Sequence, residues 1–135
     1  VITVPINLEH ILDDSRVHEL DASYLHYDPE DPYAVMLDIG ATSTGERIEW
    51  TLARDTLADG ITTPAGAGRG DVTVWPCDGG IHIRLCSPEG EAHLHAEAGQ
   101  IEAFLTLSYA MVPLGCELDG IDVGAELDKI FGKAA

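Results

Sequence analysis

"GAGRGDVTVWP", residues 66–76, decides between two kinds of fold. Gly66, Gly68 and Gly70 alternate and then run into Asp71 and an alternating apolar stretch. A phosphate-cradling loop places its glycines between a strand and a helix N-terminus, where free amides and the helix dipole meet the anion. Here the glycines lead into "DVTVW", which has the alternation of a strand, and no lysine followed by Ser or Thr stands behind them. The stretch reads as a loop feeding a β-strand. A nucleotide site is set aside, and an antiparallel sheet can be traced outward from it.

Toward the N-terminus, "ARDTLADG" at 53–60 reads as a short helix, because Ala, Arg and Leu favour helix and Gly60 stands where a C-terminal cap is expected. Before it, "RIEWTL" brings Ile48, Trp50 and Leu52 to one face, and "YAVMLDI" does the same for Tyr33, Val35, Leu37 and Ile39. Pro29 and Pro32 make 28–32 a turn. In "RVHELDASYLHY", Leu20, Ala22 and Tyr24 alternate with Glu19, Asp21 and Ser23. "ITVPINLEHIL" places Ile2, Val4, Ile6 and Leu8 together, and its Pro5, Asn7, Glu9 and His10 argue against a signal peptide.

Toward the C-terminus, "IHIRLCS" and "EAHLHAE" are two further strands. The period then changes: Ile101, Phe104, Leu105, Ser108 and Met111 recur at helical spacing, and Pro113 with Gly115 ends the run. A last helix is expected from Asp122 to Phe131, with Val123, Leu127, Ile130 and Phe131 as its apolar stripe and Asp122 as its cap. The expectation is a single α+β domain over residues 1–135. It is mainly an antiparallel sheet of about seven strands, with one short helix and two C-terminal helices.

Charge narrows the function. Twenty-four acidic residues face seven basic ones, a formal net charge of −17 in 135 residues. The basic residues Arg16, Arg47, Arg54, Arg69, Arg84, Lys129 and Lys133 are scattered, so the concentrated stripe that nucleic-acid binding needs is missing. An anionic membrane surface is disfavoured for the same reason, and no apolar run reaches the length of a membrane span, so direct insertion is not expected. Cys77, Cys86 and Cys116 form no CxxC pair and read as the reduced thiols of a cytoplasmic protein.

Candidate chemistry is sparse. His93 and His95 lie two apart on one strand face, with His82 as a potential cross-strand neighbour and Cys86 nearby. Three imidazoles can bind zinc, but the spacing is not specific, and the same residues fit the less buried face opposite Ile81, Ile83 and Leu85. Carboxylates are spread over every turn, so no catalytic pair stands out, and no GxSxG is present. The chain is not read as an enzyme, and no catalytic, cofactor-binding or metal residue is assigned. Arg54-Asp55 suggests a bridge between two carboxylates that pins the short helix to the sheet, or else a contact to an acidic partner. Trp50 and Trp75 are core or interface aromatics by the usual roles of tryptophan.

"YDPEDPYAV", "IEWTLARDTLADGI", "GRGDVTVWP", "LCSPEGEAHL", "IEAFLTLSYAMVPLGCE" and "IDVGAELDKI" follow one another in an order that resembles the SsgA-like family of sporulation and cell-division proteins, over nearly the whole chain. Asp31, Pro32, Tyr33, Trp50, Arg54, Asp55, Trp75, Pro88, Glu89 and Gly90 match the family pattern. The resemblance implies a non-catalytic regulator at division septa, with the tubulin-like protein FtsZ and SsgA-type proteins as partners. It also implies a homo-oligomer, expected as a trimer, and a fold similar to the Whirly-type single-strand nucleic-acid binders. Thr56 departs from the pattern, and "FLTLSYAM" lacks the basic residues common after Phe104 and Leu105. Leu107, Tyr109 and Met111 make that helix apolar on several sides, which suggests a subunit or partner interface unless both faces are buried in the monomer. Arg54, Asp55, Trp75, Leu107, Tyr109 and Met111 are therefore the candidate protein-interaction residues. The alternatives are a single-stranded nucleic-acid binder, by fold analogy, and a small acidic metal-dependent enzyme using His82, His93 and His95.

Overall fold

The computed structural model describes residues 1–13, 15–41, 44–68 and 70–118. The helix expected from Asp122 to Phe131 lies outside the described residues. Seven strands form one sheet: β1 (Ile2–Asp13), β2 (Arg16–Tyr27), β3 (Ala34–Ala41), β4 (Arg47–Ala53), β5 (Val72–Cys77), β6 (Gly80–Ser87) and β7 (Gly90–Glu97). Helix α1 (Arg54–Thr62) joins β4 to β5, and α2 (Ala98–Met111) follows β7. The strand order is β4-β3-β2-β1-β7-β6-β5, antiparallel at every pairing. Two hairpin-linked meanders thus meet at the β1–β7 pair.

Alternation decides which side chains face the helices. Leu8, Leu25, Leu37, Ile83 and Leu94 are buried on one sheet face with Leu57 of α1 and with Ile101 and Phe104 of α2. Each such burial is worth about 1.5–3 kcal/mol before chain entropy is counted. The opposite face carries the polar and aromatic partners of these positions.

Three local expectations are corrected. In β2 the alternation changes phase: Ile6 pairs with Ser23 but Leu8 pairs with Leu20, so two residues of β2 stand against Asn7. Ala22 takes a positive φ of 54° at this bulge, and beyond it Ser23, Leu25 and Tyr27 turn inward instead of Ala22 and Tyr24. Tyr33 does not join Val35 and Leu37, because the turn continues through it and leaves it exposed. Gly60 is not a cap. The helix runs on to Thr62 and closes through the Thr63 amide on the Asp59 carbonyl.

Gly60 instead sets how closely α1 approaches β5. A Cβ placed there would lie 2.5 Å from Val74 Cβ and 2.9 Å from the Val74 carbonyl oxygen. The glycine loop serves the same strand. Gly66 and Gly68 have φ of 78° and 111°, and the chain between them folds back so that Ala67 exchanges both backbone hydrogen bonds with Val74, at 2.8 and 2.9 Å. The stretch 66–68 is a partial cover for an edge strand, pairing the Val74 amide and carbonyl of β5.

Gly60→Ala tests this contact. Helix propensity favours alanine by about 1 kcal/mol, but overpacking costs about 1–3 kcal/mol. A lower urea midpoint with unchanged slope is expected; a raised midpoint would show that the helix moves away freely.

Candidate functional site

The charged residue singled out at the start of α1 is the most enclosed charged side chain described. Arg54 is 1% exposed. Its backbone amide donates to the Tyr33 carbonyl at 2.7 Å, which seats α1 on the turn after β2. Its side chain runs beneath the C-terminal end of α2. There Nη1 donates to the carbonyls of Ser108 and Val112, at 3.2 and 2.8 Å, and Nη2 reaches Glu117 Oε1 at 3.2 Å.

Two rings enclose the guanidinium, Tyr109 at 4.5 Å and Tyr27 at 5.1 Å from centroid to Cζ. Tyr27 in turn donates its hydroxyl to the Pro32 carbonyl at 2.9 Å. α2 has no basic residue in its last turn, so Arg54 supplies from another element the cation that the helix dipole and the terminal carbonyls favour. Arg54 Nε has no acceptor among the described residues.

Among the described residues, the partners of Arg54 are one carboxylate, two carbonyls and two rings rather than the expected pair of carboxylates. Asp55, next in sequence, points the other way and is exposed. The carboxyl of Glu117 is held below its ordinary value, first by backbone amides and then by Arg54, against the opposing effect of burial.

The other candidates separate into two places. On α2, Leu107 and Met111 stand one turn apart and are 48% and 42% exposed, so the option that both faces of this helix are buried is overturned. Leu114 and Leu118 extend the exposed apolar surface past the helix end. Tyr109 belongs elsewhere. Its ring covers Arg54 and lines the cleft between α1 and α2 with Ala58, Ile61 and Leu105.

Trp75 lies on the opposite sheet face, half-buried. It stacks on His82 at 5.4 Å and contacts His93 at the same centroid distance. The expected gathering of His82, His93 and His95 is present: His82 Nδ1 and His93 Nε2 are 2.8 Å apart, and the His82 and His95 rings meet edge to face at 5.0 Å. No group of three or more His, Cys, Asp and Glu among the described residues has a metal-holding arrangement. Cys77, Cys86 and Cys116 form no disulfide with one another.

Sequence reasoning missed a second cluster on this face. Asp38 is buried and accepts from Arg47 Nη2 at 2.7 Å and Nε at 3.1 Å, and from the Gly40 amide at 3.1 Å. Burial works to raise the Asp38 carboxyl, but these donors outweigh it and the net direction is down. An aspartate inside an apolar strand, with a lone arginine at the start of the next, was the available signal.

A family model described as the Streptomyces sporulation and cell division protein SsgA matches residues 22–117. The sporulation-specific cell division protein SsgB of Streptomyces coelicolor is 44% identical over 114 residues, 82% of this chain and 81% of that protein. A solved SsgB structure, described with mutations that correlate to longitudinal cell division during sporulation of Streptomyces coelicolor, superposes with a TM-score of 0.76 at 38% identity, over 86% of this chain and 90% of the other. The crystal structure of an SsgA-like sporulation-specific cell division protein from Thermobifida fusca gives 0.80 at 35% identity, over 95% and 93%.

Arg54→Ala should lower stability by about 3–5 kcal/mol, since it leaves a buried carboxylate unpaired and opens a cavity between two rings. Chemical denaturation measures this. The pH dependence has a definite sign. Because the native value for Glu117 is depressed, its contribution is complete above the ordinary 4.5 and is lost as pH falls through the lower native value. Glu117→Gln should flatten that acid limb, and an unchanged limb would remove Glu117 from the account.

Proposed function

The chain belongs to the SsgA family of sporulation and cell-division proteins, and on that premise we propose that it is a non-catalytic oligomeric scaffold helping to position FtsZ at septa. The observation that carries the reading is the outer side of α2. A 14-residue helix with one charged side chain, Glu102, leaves Leu107 and Met111 open in a chain of net charge −17. Apolar surface kept exposed amid so much charge suits a protein contact.

Several copies of one weak contact, presented by a homotrimer to a polymer, would gain strength by avidity. FtsZ and SsgA-type proteins are the proposed partners, and division septa the proposed location. Among the described residues no helix is long and apolar enough to cross a membrane. A Whirly-type fold, implied by the sequence resemblance alone, would bring single-strand nucleic-acid binding as the other reading, against which the charge stands.

Co-sedimentation with GTP-polymerised FtsZ, run beside an SsgA-type protein and an oligonucleotide, tests the proposal. The unsubstituted chain should pellet with the polymer and ignore the oligonucleotide. Leu107→Asp and Met111→Asp should each lose pelleting while unfolding within about 0.5–1 kcal/mol of the parent, as exposed substitutions do. Oligonucleotide binding that weakens steeply with salt, or pelleting that survives both substitutions, would move the contact off α2.

A further inference from the structure

The sheet face that no described helix covers holds a cluster that the division reading does not use. Across it, the residues facing outward from adjacent strands line up in register: Glu9 of β1 opposite His95 of β7, His95 opposite His82 of β6, and His82 opposite Trp75 of β5. His93 closes the group, hydrogen-bonded to His82 and touching Trp75. A Cβ at Gly80 would collide with the His95 imidazole, so a glycine at the head of β6 makes room for it.

The 2.8 Å contact between His82 Nδ1 and His93 Nε2 imposes a protonation rule. One nitrogen must carry the hydrogen and the other a lone pair. The bond survives with both rings neutral, or with one ring charged and donating. With both rings charged, two N–H groups face each other and the contact becomes repulsive.

We propose that Trp75, His82, His93 and His95 form a proton-operated latch across β5, β6 and β7, closed when the histidine pair shares a hydrogen and opened when both imidazoles are charged. Other groups facing it set the balance. Glu9 lies 3.4 Å from His95 Nδ1. A charged His95 opposes a charge on His82, 5.0 Å away ring to ring. From the turn after β5, Asp78 favours a charged His82, while burial, His93 and His95 together hold the His82 imidazole below its ordinary 6.5. Arg84 of β6 is the register partner of His93 and adds positive charge on that side. Glu91, His10 and Asp13 border the cavity beside His93, and Glu19 stands behind Glu9.

The sign follows from His82. A group that prefers to be neutral in the fold leaves the unfolded chain binding more protons, so this corner of the sheet weakens as pH falls below 6.5.

Trp75 is its own reporter, since Trp50 is the one other tryptophan. In Trp50→Phe protein, Trp75 emission should change between about pH 8 and about pH 5.5 with a midpoint below 6.5, and His82→Gln should abolish that transition. Imidazole proton shifts of the unsubstituted chain give the second reading, independent of whether any variant folds. The His82 imidazole should titrate below 6.5, in step with the Trp75 emission change. A flat Trp75 signal over this range, or a His82 curve at the ordinary value, would overturn the latch.

Discussion

Arg54 is the point at which five parts of the chain are held to one another. Its backbone seats α1 on the turn after β2. Its side chain ends α2, reaches the carboxylate of Glu117 beyond α2, and lies between the rings of Tyr27 and Tyr109. An enclosed guanidinium is costly to desolvate and is tolerated only where carbonyls, carboxylate and ring faces replace water around it. Once those partners are supplied, the helices cannot slide on the sheet without stranding a charge. The exposed side of α2 is therefore offered at a fixed angle.

The two sheet faces divide the work. One is covered by α1 and α2, and α2 turns its outer side, with Leu107 and Met111, toward solvent. The other, which no described helix covers, carries two polar assemblies, Asp38 with Arg47 near β4 and the histidines with Trp75 near β5. Both use cross-strand neighbours, so both depend on register, and the bulge at Ala22 is what brings Ser23, Leu25 and Tyr27 onto the core side of β2. Without that change of phase Tyr27 would face away from Arg54.

Most of the fold was legible because strands and helices leave different periods. Val35 and Leu37, or Ile81, Ile83 and Leu85, declare an inward face by alternation, and Ile101, Phe104, Leu105 and Ser108 declare one at helical spacing. The gathering of His82, His93 and His95 was legible for the same reason, since residues two apart share a face and hairpin strands pair. The readings that failed were those where one residue alters the count or the path. Ala22 adds a residue to β2, Tyr33 stays in its turn, and Gly60 serves a close approach that no local signal reveals.

By itself the sequence determined the seven strands, the two described helices, the acidic character and the family, because each is written in local pattern, composition or motif order. Only the tertiary structure decided the role of each candidate residue. Arg54 and Asp55 are adjacent, yet one is enclosed and the other exposed. Leu107 and Tyr109 are two apart on one helix, yet one faces solvent and the other caps a cation. Such roles depend on partners 54 to 63 positions away along the chain. Their meeting is set by how helices and sheet pack, which no window of sequence contains.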